Sequence, residues 1–364
     1  MATTLLLHAK HHGTETLYQP FGPWIVPWRF TSLEAEYHAL RTGVGLIDYS
    51  AQALIQVQGA DRVSFLHNLL TNGIKRLTPG SGCQAALLTA NAKLIAPLLV
   101  LADPDALWLL CDVERADIVY QALARYLFSE QVTLTNHERR YAVLALQGPQ
   151  TMMVLPRLFT LPPSLLRPGD HAVLSVDGVS IRLIRQTLTG DPGVLCVLSA
   201  KDAPALWEWI KERGRSLGIA LIGWDALNTT RIEAGIPWWG IDMDESHLLP
   251  ETGLAAVAVS DSKGCYVGQE IIARMSTYGS ANKKLVGLAL QGEQVPNAAD
   301  VIVRDGETLG MVTSACFSPA RHLPIALGYV KRGAYTPGTI VEIMYGTTRL
   351  AATVTTLPFV PHRS

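Results

Sequence analysis

An octapeptide in the last third of the chain concentrates the residues best suited to chemistry. Residues 263–270 read Lys-Gly-Cys-Tyr-Val-Gly-Gln-Glu, and residues 269–274 continue with helical character. Cys265 therefore follows a lysine, lies between two glycines and precedes a helix start. The ammonium group and the unpaired N–H groups both favour the thiolate, which is the nucleophilic and metal-binding form. The alternative is a small buried cysteine in a glycine-rich turn, which is inert.

The other cysteines do not form a framework with Cys265. The chain has five cysteines, widely spaced and without a Cys-x-x-Cys pair: Cys83, Cys111, Cys196, Cys265 and Cys316. An odd number at this spacing argues against a disulfide scaffold and against a self-contained zinc site. We therefore expect a reducing compartment and no stably bound metal.

The length and composition of the chain limit the classes of protein to which it can belong. The chain has 364 residues, of which 48% are hydrophobic and 17% are charged, enough for about two or three domains. The formal net charge of −1 gives no bulk attraction to nucleic acid. The apolar run at residues 5–7 is too short for a signal peptide, and no run is long enough to span a membrane. We expect a cytoplasmic protein without a direct nucleic-acid or membrane partner.

The elements that must position the candidate residues form two similar α+β modules. A short helix at 33–42 and a turn into a strand at 43–48 come first. The first pass then has strands at 53–59, 83–88, 94–101 and 107–111 and helices at 62–70 and 115–127. Its order suggests a split βαβ unit with antiparallel strands. A second pass has strands at 141–147, 181–185 and 193–198 and a helix at 204–217.

The last part of the chain has a different pattern. Six short strands are separated by Gly, Pro and Asn turns, at 285–290, 301–304, 308–314, 325–330, 339–344 and 349–355. Even spacing of short strands predicts a small β-barrel that closes the chain.

Several phrases together resemble the superfamily of glycine-cleavage T-proteins and their folate-binding YgfZ-type relatives. They lie in the superfamily's order at 41–48, 146–149, 231–237, 263–270 and 285–288. Most of them are weak alone. The Lys-Gly-Cys-Tyr-Val-Gly-Gln-Glu run is specific and resembles the YgfZ-type branch, because T-proteins carry a cysteine-free sequence there.

The resemblance implies an α+β fold of three domains arranged as a T-protein-like ring around a folate-binding cavity. The first module would comprise residues 1–51 and 141–235, and a ferredoxin-like second module would comprise 52–140 and 236–283. The barrel would comprise 284–364.

The resemblance also implies which residues meet the folate. Arg231 is a cation suited to the carboxylate tail of a tetrahydrofolate or a derivative. Asp112 stands where T-proteins place an asparagine. Trp238 either stacks on an aromatic ligand or packs at a domain interface.

Two departures from the T-protein pattern argue against aminomethyl transfer. Ala96 stands where T-proteins have a carboxylate that holds the folate and assists the transfer, so no acid or base remains at that position. Leu195 replaces a glutamate that reaches the pterin, which removes a hydrogen-bond acceptor. We therefore expect weak folate binding and no aminomethyltransferase activity of the T-protein type.

The resemblance to the YgfZ-type branch leads to a functional hypothesis. The chain would support assembly or repair of iron–sulfur clusters, and thereby iron–sulfur enzymes such as those that modify tRNA. Cys265 would be a transient cluster ligand or a redox thiol, with Lys263 and Tyr266 beside it as candidate catalytic residues. Because a cluster takes four protein ligands, an assembly or client protein must supply the others. The alternatives are a tetrahydrofolate-dependent aminomethyl or one-carbon transferase, and a folate-binding module with a structural cysteine.

Overall fold

A computed structural model describes residues 3–11, 16–161, 167–277 and 281–361. Each of the predicted ranges 1–51, 141–235, 236–283 and 284–364 extends into residues outside those described. In the described part the strands form three open sheets and one closed barrel.

The helices and strands have the following bounds. The α-helices are α1 (Leu33–Thr42), α2 (Arg62–Leu69), α3 (Val113–Ala124), α4 (Thr151–Leu158), α5 (Ala203–Arg215), α6 (Trp224–Glu233), α7 (Ala255–Ala258) and α8 (Gln269–Thr277). The strands are β1 (Thr3–Thr4), β2 (Leu17–Phe21), β3 (Trp24–Arg29), β4 (Val44–Asp48), β5 (Gln52–Gln58), β6 (Gly82–Leu88), β7 (Leu94–Ala102), β8 (Ala106–Asp112), β9 (Thr133–Asn136), β10 (Tyr141–Gln147), β11 (His171–Val176), β12 (Val179–Arg185), β13 (Gly193–Ser199), β14 (Ile219–Leu221), β15 (Lys283–Leu290), β16 (Val301–Arg304), β17 (Glu307–Ser318), β18 (Leu323–Lys331), β19 (Ile340–Tyr345) and β20 (Thr348–Thr355).

The first α+β module is a six-stranded sheet that draws on distant parts of the chain. Its order is β11-β12-β13-β10-β4-β14, with β14 parallel to β4 and the other pairs antiparallel. All five residues of β4 are buried, as expected for a central strand covered on both faces. The helix that precedes β4, α1, begins where the Ser32 hydroxyl accepts from the Ala35 N–H at 3.2 Å, a standard N-cap.

The second module is a five-stranded antiparallel sheet in the order β6-β7-β8-β5-β9. Helix α3 joins β8 to β9, and these two strands flank β5, which is antiparallel to both. This is the split βαβ arrangement that the sequence suggested. The strands β5 to β9 are contiguous in the chain, so this sheet is inserted between β4 and β10 of the first module.

Residues Lys283 to Thr355 form a closed six-stranded barrel in the order β15-β18-β17-β16-β19-β20. Its interior is filled by aliphatic side chains such as Leu288, Ile302 and Ile343, all fully buried. The predicted fold class, two α+β modules followed by a small β-barrel, is therefore confirmed. The exact boundaries of the domains stay a prediction.

Several elements were absent from the sequence-based prediction, including the strands β9, β11 and β14. The strands β1, β2 and β3 form a small N-terminal sheet, and α6 runs from Trp224 to Glu233. A salt-bridged helix start was one alternative for the stretch Arg231-Ile232-Glu233, but these residues occupy the last turn of α6. The helix was missed because nine of its ten residues are buried, so it lacks the polar face that marks an amphipathic helix.

The carboxylate of Asp103, at the turn between β7 and β8, forms hydrogen bonds that connect the two modules. Asp103 accepts two hydrogen bonds from the guanidinium of Arg182 in β12, at 2.8 and 2.6 Å. It also accepts from the Trp108 indole N–H at 2.9 Å and contacts the imidazole of His171 at 3.3 Å. One carboxylate thus ties the second sheet to two strands of the first.

Within the described residues, no helix combines the length and the apolar character that crossing a membrane requires.

Candidate functional site

A cavity of about 280 Å³ lies between the two α+β modules, against the N-terminal sheet. Six aromatic side chains line it: Phe21, Trp24, Tyr49, Trp224, Trp238 and Trp239. Six polar side chains are distributed among them: Gln52, Gln84, Asp112, Glu114, Gln186 and Thr187. An apolar, aromatic pocket with a few polar groups is the usual form of a small-molecule site.

The aromatic wall has a defined geometry. The indole rings of Trp224 and Trp238 meet edge to face with centroids 5.5 Å apart, and the Phe21 ring lies 5.5 Å from each of them. The Tyr49 ring stacks on Trp224 at 5.9 Å with an interplanar angle of 24°. These contacts hold the rings in fixed orientations, so they offer a preformed surface to a flat ligand.

Trp238 lies in this wall. The sequence left two roles open for it, stacking on an aromatic ligand or packing at a domain interface. Its ring is half-buried, and the guanidinium of Arg231 lies over it at 4.7 Å from the centroid. One face of the indole is therefore occupied by a cation from the protein, which polarises the ring and fixes its plane.

Asp112 is the titratable group that the structure brings deepest into the cavity wall. It ends β8 directly opposite Gln52 of β5, whose side-chain amide donates to Asp112 Oδ1 at 2.7 Å. Burial raises the pKa of the Asp112 carboxyl to about 6, although the hydrogen bond from Gln52 acts in the opposite direction. Burial, followed by the charge of Asp112, also raises the pKa of the Tyr49 phenol, which stays neutral.

The two positions at which the sequence departs from the T-protein pattern, Ala96 and Leu195, leave the nearby cavity surface apolar. Pro97 and Leu195 both line it, whereas Ala96 points into the hydrophobic core and is fully buried. Neither Ala96 nor its neighbour supplies a carboxylate to the β7 side of the cavity. Asp112 lies on the next strand of the same sheet, since β7 pairs with β8.

Arg231 is placed differently from what the resemblance implied. Its side chain is almost completely buried, forms an ion pair with Asp242 and donates to the hydroxyl of Ser314 in the barrel at 2.7 Å. It also donates to the side-chain oxygen of Asn228 at 2.9 Å. The guanidinium is therefore committed to protein partners, and Arg231 does not line the cavity. A contact between Arg231 and a folate carboxylate stays a prediction that this arrangement does not support.

The acidic stretch Asp242-x-Asp244-Glu245 predicts a solvated surface segment, and for Asp242 this prediction is wrong. Asp242 is buried and accepts hydrogen bonds from the hydroxyls of Thr313 at 2.6 Å and Ser314 at 2.7 Å, as well as from the Trp238 N–H at 3.0 Å. A run of acidic residues gives no sequence signal for a member that folds inward, because two of the partners of Asp242, Thr313 and Ser314, lie far along the chain in the barrel.

Cys265 is exposed, in the loop between α7 and α8, and does not line the cavity. Cys111 and Cys196 are buried, and Cys83 and Cys316 are half-buried. Burial raises the pKa of the Cys83 thiol to about 11 and that of Cys196 to about 12, which keeps both protonated. Cys265 is thus the cysteine that solvent reaches most easily.

Lys263 binds the loop that contains Cys265, residues 259–268, to the second module. Its ammonium donates to the carbonyl oxygens of His67, at 2.5 Å, and of Leu70, both at the end of α2. A cation at the last carbonyls of a helix is stabilised by the helix dipole. The same ammonium lies 4.7 Å from the centroid of the Tyr266 ring, and burial lowers its pKa to about 8.

Tyr266 anchors the other end of this loop. Its ring is buried in an apolar cluster with Leu94 of β7 and Ile272 of α8, and burial raises the pKa of its phenol to about 12. The structure therefore gives Lys263 and Tyr266 contacts that hold the loop in place. Whether they also act in chemistry stays a prediction.

Some cavity residues carried no sequence signal. Gln52, Gln84 and Gln186 are isolated glutamines in strands or turns, and only strand pairing brings them to one cavity. Among the described residues, no group of three or more His, Cys, Asp and Glu side chains is arranged to hold a metal ion.

Comparisons with known proteins agree with this architecture. Residues 7–262 match the family model described as the GCVT N-terminal domain, and residues 283–361 match the glycine cleavage T-protein C-terminal barrel domain. The aminomethyltransferase of Geobacillus sp. (strain WCH70) is 30% identical over 98% of both chains, and that of Bacillus subtilis (strain 168) is 28% identical over 96% of both. The crystal structure of glycine cleavage system aminomethyltransferase T from Bartonella henselae superposes with a TM-score of 0.90, at 26% identity, covering 100% of this chain and 99% of that one.

Proposed function

Because the chain belongs to the glycine cleavage T-protein family, we propose that it binds a reduced folate, such as tetrahydrofolate, and takes part in one-carbon transfer. The observation that carries this proposal is the cavity between the two α+β modules. Its walls combine fixed aromatic rings with one buried carboxyl group, a combination suited to a flat heterocycle that bears N–H donors.

The cavity is large enough for part of a folate molecule. At about 280 Å³ it is near the lower end of the roughly 300–1,000 Å³ that ligand pockets span, so it has room for a bicyclic ring rather than for a whole folate. The ring would lie against Trp224 and Trp238, and the N–H groups of the ring would donate to Asp112. A charge-assisted hydrogen bond of this kind is roughly twice as strong as a neutral one.

When bound, tetrahydrofolate would supply the nitrogen that accepts a one-carbon group. The residues of this chain orient the ring, exclude water from it and offer Asp112 as the ionisable neighbour. The relatives named aminomethyltransferase favour aminomethyl transfer as the specific reaction. Ala96 and Leu195 argue against an efficient version of it, because the carboxylates expected at both positions are missing.

Binding is tested by calorimetry with tetrahydrofolate under reducing, anaerobic conditions. We expect measurable affinity for the parent protein and a loss of roughly 1–3 kcal/mol in the Trp238→Ala variant, the range for a stacked aromatic base in other ring-binding proteins. Trp209→Ala is the matched control, since Trp209 stacks on Phe159 in the first module, away from the cavity. The proposal fails if the parent protein shows no heat of binding.

Transfer is tested separately with an aminomethyl-loaded lipoyl carrier protein. Formation of methylene-tetrahydrofolate at rates typical of an authentic T-protein would assign aminomethyl transfer to the chain. Folate binding without turnover would restrict it to another one-carbon reaction or to binding alone.

We propose a second candidate function on a different observation, the exposure of Cys265. In this proposal the thiol serves as a transient ligand during assembly or repair of iron–sulfur clusters, with a partner protein that supplies the remaining ligands. The resemblance of residues 263–270 to the YgfZ-type run supports it. A transfer assay with a reconstituted [4Fe–4S] donor and an apo client enzyme tests it. Cys265→Ser should slow client activation, whereas Cys83→Ser should not.

A further inference from the structure

A second pocket, of about 330 Å³, lies between helix α3 and the turn that joins β6 to β7. Apolar side chains line part of it, among them Leu94, Ile118 and Ala122. Four charged side chains lie around these: Arg115, Asp117, Arg125 and Glu245. Two cations and two carboxylates leave this second pocket without net charge, so it favours neither a simple anion nor a simple cation.

The protein holds Arg115 in one orientation. Nε and Nη2 of its guanidinium donate to the carbonyl oxygen of Ile95 at 3.0 and 2.8 Å, and the group lies 4.4 Å from the centroid of the Trp239 ring. The N–H groups of Nη1 donate to none of the residues that the structure describes. A guanidinium fixed in this way binds a carboxylate with little further loss of side-chain entropy.

Glu245 supplies an opposite charge close to Arg115. Burial lowers the pKa of the Arg115 guanidinium, and the charge of Glu245 is the largest of the effects that oppose burial. Both residues lie in the described part of the chain, and they form no direct ion pair with each other. A fixed cation and a carboxylate therefore line the same pocket with space between them.

The other two charged groups are placed less favourably. The carboxylate of Asp117 already accepts from the side-chain amide of Asn136 at 2.7 Å. Arg125 caps the far end of α3, ten residues after Arg115 and so about 15 Å away along the helix. Neither group can meet a small ligand that is bound between Arg115 and Glu245.

We propose that the second pocket binds a free α-amino acid with an apolar side chain. The carboxylate of the ligand accepts from Arg115, and its ammonium donates to Glu245. Its side chain packs against Ile118 and Ala122, which follow Arg115 on one face of α3 at spacings of three and four residues. A volume near the lower end of the roughly 300–1,000 Å³ that ligand pockets span suits a ligand of this size.

This site is separate from the cavity that we propose for the folate. The two share one contact, because Trp239 lines the cavity and Arg115, which lines the second pocket, lies over its ring. A carboxylate bound to Arg115 changes the electric field at this indole, so tryptophan fluorescence gives a second readout of binding.

The first experiment titrates the full-length protein with L-leucine by calorimetry at pH 7, without folate. Three probes each lack one group of the ligand: leucinamide lacks the carboxylate, 4-methylpentanoate lacks the ammonium and glycine lacks the apolar side chain. We expect L-leucine to bind and each probe to bind at least about tenfold more weakly, since hydrogen bonds between charged groups are the strong ones. The absence of L-leucine binding at millimolar concentration overturns the proposal. Equal affinity for leucinamide, which resembles the first residue of a peptide, also overturns it.

The second experiment assigns the ammonium contact. Glu245 is exposed, so Glu245→Gln leaves the fold intact. It should weaken L-leucine at least about tenfold and should not weaken 4-methylpentanoate, which has no ammonium. Asp117→Asn is the matched control, because it removes the other carboxylate of the pocket and should leave the affinity for L-leucine within about twofold. An unchanged affinity in Glu245→Gln, or a loss in Asp117→Asn alone, contradicts the assignment.

Discussion

The raised pKa of Asp112 has a consequence for folding stability as well as for binding. An unfolded aspartate ionises near pH 3.9, whereas the folded Asp112 ionises near 6, so the native state binds more protons between these values. Ionisation of Asp112 therefore destabilises the fold as the pH rises from about 4 to above 6.

Replacing Asp112 by asparagine should remove this penalty. Asp112→Asn keeps an acceptor for the Gln52 amide, and at pH 7.5 it should stabilise the protein by about 1–3 kcal/mol, because one pKa unit corresponds to 1.36 kcal/mol. The gain should vanish near pH 4. Urea denaturation at the two pH values measures it, and a gain that is equal at both would show that the charge of Asp112 is not the cause.

The five cysteines should differ in their rates of alkylation. Cys265 is exposed, whereas burial raises the pKa values of Cys83 and Cys196 and limits access to both thiols. We expect iodoacetamide to modify Cys265 at least ten times faster at pH 7.5, because each unit by which burial raises the pKa of Cys83 or Cys196 lowers the thiolate fraction of that cysteine about tenfold. Mass spectrometry after timed labelling reads all five sites, with Cys265→Ser as the control. Equal rates at Cys265 and Cys83 would remove the support for a reactive thiol.

Single residues show where sequence reasoning succeeds and where it stops. Asp112 and Trp238 were singled out in the sequence, and the fold places both in the cavity wall. Arg231 was singled out too, but its partner Asp242 reaches it through a turn that the sequence does not reveal, and Ser314 reaches it from the barrel. Pairing between distant segments decides the environment of a buried charge, and periodicity within one segment carries no information about it.

At the level of elements, the turn between β7 and β8 holds the two modules together through Asp103. Burial alone would raise the pKa of this carboxyl, but the hydrogen bonds from Arg182 and His171 outweigh burial and hold its pKa well below the usual range. The stability that this arrangement contributes is present above pH 4 and is lost as the pH falls through the folded pKa.

Asp103→Asn should therefore weaken the junction of the modules. The side chain is 27% exposed, so solvent screens part of the interaction, and we expect a loss of about 1–2 kcal/mol at pH 7. Chemical denaturation at pH 7 and pH 3 gives the size and the pH dependence of the loss. Asp105→Asn, an exposed neighbour in the same turn, is the control and should change little. A loss of equal size at pH 3 would contradict the electrostatic explanation.

Elements with a regular pattern were predictable from the sequence. Most strands of both sheets and the six strands of the barrel follow from alternation and turn residues, whereas β9, β11 and β14 were not predicted. The predicted α+β class with a closing barrel is confirmed. The buried helix α6 and the N-terminal sheet were missed. The first lacks a polar face, and the second contains prolines at positions 20 and 27, which argue against a strand unless it lies at an edge.

For the whole molecule, the buried pair of Arg231 and Asp242 connects the end of α6 to the barrel. Both side chains are almost fully buried, and Ser314 of β17 donates to Asp242 and accepts from Arg231. Removing one partner of such a pair leaves an uncompensated charge, which costs more than the pair itself contributes.

Arg231→Met should destabilise the protein by about 3–5 kcal/mol, the range for a buried charge left without its partner. The double variant Arg231→Met with Asp242→Asn should recover part of this loss, since the orphaned charge is then removed. Denaturant titration of the single and double variants completes the cycle. Calorimetry of Arg231→Met with tetrahydrofolate tests whether Arg231 also contributes to ligand binding. Unchanged stability together with weakened binding would show that Arg231 serves the ligand instead.

The insertion of the second sheet between β4 and β10 sets an order of events during synthesis. Strands β5 to β9 leave the ribosome consecutively and complete their sheet among themselves, whereas β4 must wait for β10 and then for β14. At roughly 5–20 residues per second, β4 waits for several seconds with its buried residues uncovered. We therefore expect the inner module to fold first and the host module to close around it afterwards, so that the cavity forms only once both are complete.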